Sequence, residues 1–144
     1  MAKIVKEVSC GAIIFRRTKD GVKYLLLHYG MGHWGFVKGH MEEGETEKET
    51  VIRETKEETG ITDLKFIPNF KEEITYYYKF GGKLHFKRVI FFLAETKTEE
   101  VKLSYEHTGY AWLSFEQALS RIKFENTRNV LKKANEVVKR IMRD

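Results

Sequence analysis

Three glutamates in one segment have the spacing that gathers side chains on one side of a helix. Glu54 and Glu58 are four residues apart, Glu54 and Glu57 are three apart, and Glu57 and Glu58 are adjacent. Residues three and four apart are neighbours on a helix, where like charges repel one another. A divalent cation removes this repulsion, because Mg²⁺ prefers carboxylate oxygens and bridges readily to phosphates. The spacing therefore indicates a site for a hard cation and for phosphate chemistry.

A basic residue accompanies these carboxylates. Arg53 precedes Glu57 by four residues, so we expect its guanidinium to orient that carboxylate. Residues 42–58 hold eight glutamates and only three basic residues, although the whole chain has a net charge of +5. On composition alone, a solvated surface rich in Glu and Lys explains this segment well. The spacing of the glutamates is what favours a cation site, with positive surface around it for an anionic ligand.

The carboxylates are expected on a helix over residues 46–59. This stretch lacks Gly and Pro, and Gly60 can end it in a left-handed conformation. A glycine-rich loop over residues 30–39 should precede it. Strands are predicted at 8–15, 24–28, 65–70 and 110–113, a hairpin at 72–80 and 84–95, and further helices at 115–119 and 127–142. Strands interspersed with helices predict an α/β (α+β) fold, a mixed β-sheet sandwiched between α-helices.

Composition limits the classes of protein that the chain can represent. Its 144 residues, 42% of them hydrophobic, are enough for one packed domain, which we place at 1–144. The longest apolar runs are too short to cross a membrane, and no apolar signal segment is visible. The single cysteine, Cys10, excludes an intramolecular disulfide and a thiolate metal cluster. We therefore expect a cytoplasmic domain with no membrane partner.

The glutamates belong to a longer motif that spans residues 39–61. Its matching positions are Gly39, Glu45, Arg53, Glu54, Glu57, Glu58, Gly60 and Ile61. In these residues and their spacing the chain resembles the Nudix hydrolase family. Thr55 stands where that family prefers an aliphatic residue. Because Thr55 lies on the apolar face of the predicted helix, this departure concerns packing rather than chemistry.

The resemblance implies the Nudix fold and hydrolysis of a nucleoside diphosphate linked to another group, with Mg²⁺ or Mn²⁺ as cofactor. Carried over position by position, the implied metal ligands are the carboxylates of Glu54, Glu57 and Glu58 and the backbone carbonyl of Gly39. A carboxylate must also take a proton from the attacking water. Glu57 is one candidate for this catalytic role and Glu106 is the other, and the motif does not decide between them.

Segments outside the motif resemble those Nudix enzymes that hydrolyse diadenosine tetraphosphate asymmetrically. The segments are residues 33–40, 70–76 together with 87–95, and 103–113, with Val37 where that group has proline. The substrate-binding residues that this resemblance implies are Lys38, His40, Tyr76, Lys87 and His107. Tyr76 is the candidate for stacking on adenine and the others for contacting phosphate. An ordinary structural role stays open for Tyr76, Lys87 and His107, as it does for Glu106.

Together these expectations favour an enzyme that converts diadenosine tetraphosphate to ATP and AMP. One alternative is a broader nucleotide pyrophosphohydrolase that acts on RNA 5′ ends, nucleoside triphosphates or ADP-ribose. Another is a non-catalytic nucleotide sensor on the same scaffold, although such sensors usually lose glutamates of the motif. The expected partner is a small nucleotide. No motif indicates nucleic-acid binding, RNA 5′ ends stay open as an alternative substrate, and the oligomeric state stays open.

Overall fold

Strands and helices alternate along the chain in the computed structural model, which describes residues 3–30 and 32–143. Eight strands and three helices lie within these residues. In chain order they are β1 (Val5–Thr18), β2 (Gly21–Tyr29), β3 (Trp34–Gly35), β4 (Val37–His40), α1 (Glu47–Thr59), β5 (Lys65–Phe66), β6 (Glu72–Phe80), β7 (Lys83–Glu95), β8 (His107–Leu113), α2 (Phe115–Arg121) and α3 (Glu125–Met142).

A mixed sheet is built around β1 and β7. These two strands run parallel, with Val5 opposite His85 and Phe15 opposite Glu95. The remaining pairings are antiparallel: β2 and β4 with β1, β5 and β6 with β7, and β3 and β8 with β2. The parallel pair joins segments about eighty residues apart. Each of the other six strands pairs with β1, β7 or β2. The predicted mixed sheet is therefore confirmed.

Helices cover both faces of this sheet. Side chains alternate between the two faces along β1. Ile13 and Phe15 enter one buried cluster together with Val138 of α3. Ile14 enters a second cluster on the opposite face together with Val51 of α1. The predicted sandwich of helix, sheet and helix is confirmed, and the two faces carry separate hydrophobic cores.

Local signals determine where α1 begins and ends. The Thr46 hydroxyl accepts from the backbone N–H of Glu49, whose carboxylate in turn accepts from the backbone N–H of Thr46. Gly60 ends the helix with φ of 77°, a conformation that suits glycine. The predicted helix is confirmed. The departure at Thr55 buries a hydroxyl that has no hydrogen-bond partner.

The structure differs from the predicted elements at two places. The expected loop over residues 30–39 contains β3 and β4, and the strand expected at 65–70 is only β5. β4 approaches β1 closely because position 11 is glycine, where a Cβ would overlap the Val37 carbonyl oxygen. Such pairing is decided by a distant strand rather than by local alternation. None of the helices among the described residues is long and apolar enough to span a membrane.

Candidate active site

The site begins where β4 meets α1. Gly39 on β4 faces the carboxylate of Glu54, which occupies the space that a side chain at position 39 would need. Glycine is therefore required for this close approach. The backbone of Gly39 and the carboxylate of Glu54 are both implied metal ligands, and the fold places them side by side.

Arg53 connects this carboxylate to three others. Its Nε donates to Glu45 Oε2 at 2.6 Å and its Nη2 to Glu45 Oε1 at 3.1 Å, a bidentate pair. Its Nη1 donates to Glu54 at 2.8 Å and to Glu57 at 3.2 Å, and lies 3.6 Å from Glu42. Nη2 also donates to the carbonyl of His40 at 2.9 Å. The expected contact with Glu57 is present, but Arg53 is the centre of a larger network.

Glu45 is a site residue to which the sequence assigned no role. Its hydrogen bonds from Arg53 hold the pKa of its carboxyl at about 2, so the pair is ionised across the physiological range. The available signal was its spacing, eight residues before Arg53 and fixed within the motif. Glu45 also accepts from the Thr50 hydroxyl and the Glu42 backbone N–H. It fastens the loop before α1 to the acidic helix.

Glu58 is the buried member of the acidic set. It is 5% exposed, and its Oε2 has no hydrogen-bond partner. Burial raises the pKa of Glu58 to about 9, with hydrogen bonding to Glu54 next in importance and the charges of Glu106 and Glu57 adding to it. On its other side, Oε1 lies 3.1 Å from Nε2 of His107. Burial lowers the pKa of His107, so we interpret this contact as a hydrogen bond to a neutral imidazole.

This set of side chains suits a divalent cation. In residues 3–30 and 32–143 no group of three acidic or imidazole side chains has the geometry of a metal site. The carboxylates instead contact Arg53 and His107. The chemistry of the donors nevertheless fits a hard ion. Glu58 offers a buried oxygen without a partner, and Gly39 leaves room for the Glu54 carboxylate.

A cavity of about 700 Å³ reaches Lys38, the residue before Gly39 on β4. Lys38 and Lys87 both line it. Burial, together with the charge of Lys87, lowers the pKa of Lys38 to about 8, and burial lowers the pKa of Lys87 as well. Two partly desolvated ammonium groups in one cavity repel each other, and an anionic ligand relieves that repulsion. The cavity thus suits a phosphate chain.

Aromatic side chains form the walls of this cavity. Tyr76 lies under the Lys38 ammonium, with Nζ 5.8 Å from the centre of its ring, and its own ring centre is 6.2 Å from that of Tyr78. Phe124 and His33 also line the cavity, with ring centres 5.7 Å apart. Strand alternation predicts that Tyr76 and Tyr78 share a face. Phe124 had no signal in the sequence, because it lies between α2 and α3.

The predicted binding residues are not all gathered in the cavity. Lys38, Tyr76 and Lys87 line it. His40 is exposed outside the lining, with Nε2 3.6 Å from Glu7. His107 is buried against Glu58 rather than facing the cavity. Glu106 is exposed on a turn beside Glu58.

Besides Glu45 and Phe124, sequence reasoning missed two more residues near this site. Tyr29 lines the cavity, donates from its hydroxyl to the Phe36 carbonyl and packs edge-on against His107 with ring centres 4.8 Å apart. Glu7 accepts from the Tyr78 hydroxyl and lies 2.7 Å from Nδ1 of His85. Both lie on buried strands, where sequence patterns indicate packing and give no sign of a partner from a distant strand.

The raised pKa of Glu58 predicts a pH-dependent stability. The ordinary pKa of a glutamate side chain is 4.5 and that of Glu58 in the folded protein is about 9, so the folded state binds an extra proton between these pH values. The stabilisation is complete below pH 4.5 and is lost as pH rises. For the metal-free protein, the free energy of unfolding should fall by up to about 1.4 kcal/mol per pH unit. Urea unfolding in EDTA from pH 6 to 8 measures this, with Glu58→Gln as the reference. Equal slopes in the two proteins contradict the prediction.

Two features of the fold and the site together define a class of protein. Carboxylates on one helix suit a divalent cation, and a cavity lined by lysines and aromatic rings suits an anionic ligand with an aromatic group. Residues 5–134 match the NUDIX domain. The chain belongs to the NUDIX family and is a Nudix hydrolase. The resemblance seen in residues 39–61 is thereby confirmed. Hydrolases of this family generally use divalent metal cations.

Curated relatives and solved structures extend this similarity over most of the chain. The chain is 37% identical over 140 residues to the asymmetrical bis(5′-nucleosyl)-tetraphosphatase of Mus musculus, covering 89% of this chain and 92% of that protein. The protein of the same name from Caenorhabditis elegans is 33% identical over 128 residues, covering 87% and 91%. The crystal structure of a C. elegans Ap4A hydrolase binary complex superposes with a TM-score of 0.82 at 30% identity, covering 92% and 98%.

Proposed function

We propose that this chain hydrolyses diadenosine tetraphosphate to ATP and AMP with Mg²⁺ as its cation. The observation that carries the proposal is a cavity lined by Lys38, Lys87 and aromatic rings, in which Lys38 is followed by Gly39, the residue that meets the Glu54 carboxylate of α1. Relatives bearing the name of this activity match nearly the whole chain. The cavity volume of about 700 Å³ also suits a nucleotide.

One adenosine of the substrate occupies the cavity. Its base stacks on Tyr76 in the cavity that Phe124 also lines, since an aromatic face accepts any base by stacking. The phosphates that follow lie along the ammonium groups of Lys38 and Lys87. The ammonium charges neutralise the phosphate chain of the substrate and direct it toward Gly39, the residue next to Lys38 on β4. The substrate is thereby oriented with its far end at the carboxylates.

Glu54, Glu57 and Glu58, with the Gly39 carbonyl, would hold the cation. When bound there it supplies Lewis-acid stabilisation of the charge that builds up on the phosphates. Arg53 keeps Glu54 and Glu57 in position through the hydrogen bonds from its Nη1. A carboxylate takes the proton of the attacking water, for which the exposed groups of Glu57 and Glu106 are the two candidates.

Product analysis in ¹⁸O-labelled water tests this proposal. Incubation of diadenosine tetraphosphate with Mg²⁺ should release ATP together with AMP that carries the label, since water attacks the phosphorus that becomes AMP. Two ADP molecules would contradict the position of cleavage. An absence of turnover by the folded, cation-binding protein would contradict the substrate. RNA 5′ ends, nucleoside triphosphates and ADP-ribose are then the substrates to assay.

Lys38→Met is expected to raise KM for diadenosine tetraphosphate about tenfold to a hundredfold. The substitution removes an ammonium group from the cavity but keeps an unbranched apolar side chain, so the packing beside Tyr76 is retained. Steady-state kinetics at saturating Mg²⁺ measures the effect. Lys132→Met, on the exposed face of α3, is the matched control and should leave KM unchanged. A fall in kcat with an unaltered KM would argue against a phosphate contact by Lys38.

A further inference from the structure

We propose that Tyr105 forms a second nucleobase subsite, on which the adenine of the departing AMP stacks. The inference rests on the proposed function, since it requires a substrate with a nucleoside at each end of a phosphate chain. It concerns the end of the substrate that the cavity does not hold. The structure assigns this role through the turn that carries Tyr105, the exposure of its ring and its position relative to the carboxylates.

The turn is tied firmly to the end of α1. The backbone N–H of His107 donates to the Ser104 carbonyl at 3.3 Å, which makes Tyr105 and Glu106 the two central residues of a tight turn. The backbone N–H of Ser104 donates to the Glu58 carbonyl at 3.2 Å. The His107 imidazole lies 3.1 Å from the Glu58 carboxylate and 3.2 Å from the Ser104 hydroxyl. Both ends of the turn are thus anchored on one glutamate.

Tyr105 is held at the surface of this anchored turn. It is 96% exposed, so its ring is free on both faces for a ligand. A single exposed aromatic residue is common on protein surfaces. Tyr105 differs from such a residue because its backbone is fixed beside an acidic set, and because its neighbour Glu106 is close enough for its charge to raise the pKa of Glu58. A fixed backbone lowers the entropy lost when a base binds.

A continuous series of contacts leads from the cavity to this turn. Lys38 lines the cavity and is followed by Gly39, which touches the Glu54 carboxylate. Glu58 lies one helical turn after Glu54 on α1, and its backbone carbonyl accepts from the Ser104 N–H of the turn. The carboxylates therefore lie between the cavity and Tyr105. A phosphate chain that follows these contacts from the cavity meets the carboxylates before it reaches the turn.

The products determine which nucleoside lies at the turn. Release of ATP together with labelled AMP corresponds to attack of water at the phosphorus next to the second nucleoside. That phosphorus must lie at the carboxylates, with three phosphates and the first nucleoside toward the cavity. The second nucleoside then emerges on the far side of the carboxylates, where Tyr105 stands. Because stacking uses a face that every base has, this subsite should tolerate different bases.

Comparing two substrates isolates the second nucleoside. Diadenosine tetraphosphate and adenosine 5′-tetraphosphate share the first nucleoside and all four phosphates, but the latter lacks the second nucleoside. Tyr105→Ala should lower kcat/KM for the dinucleotide about tenfold and leave that for the mononucleotide within about twofold. If the mononucleotide is not cleaved, its inhibition constant replaces kcat/KM. Tyr105→Phe should restore the wild-type value, because stacking needs the ring and not the hydroxyl.

The controls separate this inference from other effects. Phe80→Ala removes an exposed aromatic side chain at the end of β6, outside the cavity lining. It should leave kcat/KM unchanged for both substrates. An equal loss for both substrates in Tyr105→Ala would mean that the turn acts through Glu58, and would overturn the inference. An unchanged value for both would overturn it too. If the wild-type protein cleaves neither substrate, the proposed function itself fails.

Discussion

Replacing Glu57 with glutamine is expected to lower kcat for diadenosine tetraphosphate about a thousandfold. The glutamine keeps the size of the side chain but carries no charge for a cation and takes no proton from water. The side chain of Glu57 is 58% exposed and its ion pair with Arg53 is at the surface, so the fold should be retained. Steady-state rates at saturating Mg²⁺, with a thermal unfolding curve for each protein, measure both parts of this prediction.

The same variant distinguishes an enzyme from a nucleotide sensor. A sensor would lose only the part of its nucleotide affinity that depends on the cation, whereas an enzyme loses turnover. Glu43→Gln is the matched control, since Glu43 is an exposed glutamate of the same acidic segment outside the matching positions of the motif. It should retain wild-type kinetics. A Glu57→Gln protein with kcat within tenfold of wild type would rule out Glu57 as both ligand and base.

Gly39→Ala is expected to lower kcat/KM about a hundredfold, because a misplacement of about 1 Å at a reacting group has effects of this size. A Cβ at position 39 would overlap the Glu54 carboxylate. That carboxylate is the end of a flexible side chain, so it moves aside while the backbone stays in place. The hydrogen bond from Arg53 to Glu54 is then disturbed as well. Kinetics as a function of Mg²⁺ concentration should show a weaker apparent affinity for the cation.

Gly30→Ala is the appropriate comparison for this variant. A Cβ at position 30 would meet no heavy atom within 4 Å, so the same chemical change is made without a collision. Its unfolding midpoint and its activity should match those of the wild-type protein. If Gly39→Ala unfolds at a much lower temperature, the loss of activity reflects the pairing of β4 with β1. In that case Gly39 has no specific role toward the Glu54 carboxylate.

The acidic helix is the part of the fold that the sequence predicted best. The predicted helix over residues 46–59 agrees with α1, which has Thr46 as its cap and Gly60 at its end. These signals are local, since the hydrogen bonds of a helix and its caps join residues a few positions apart. For the same reason, the sequence was enough to predict that the spacing of Glu54, Glu57 and Glu58 brings their carboxylates to one side of the helix. Local structure and the identity of the acidic residues thus needed no knowledge of the sheet.

Which strands pair with one another could be learned only from the tertiary structure. β1 and β7 pair in parallel although about eighty residues separate them, and no alternation within either strand identifies the other. β3 and β4 were expected to be loop because two to four residues with several glycines carry no strand pattern. Their backbone hydrogen bonds are supplied by β2 and β1. The cost of closing such long loops is met only when many contacts form together.

From the sequence alone follow the family motif, the carboxylates of α1 and the layered mixed sheet, because each depends on residue types at short spacing or on the order of elements. The tertiary structure decided which side chains share the site. It placed Tyr29 and Phe124 in the cavity with Tyr76, turned His107 toward Glu58 and exposed Tyr105 beside them. The physical reason is that burial, contact and pKa depend on atoms brought together from distant segments, and the spacing along one segment carries no information about them.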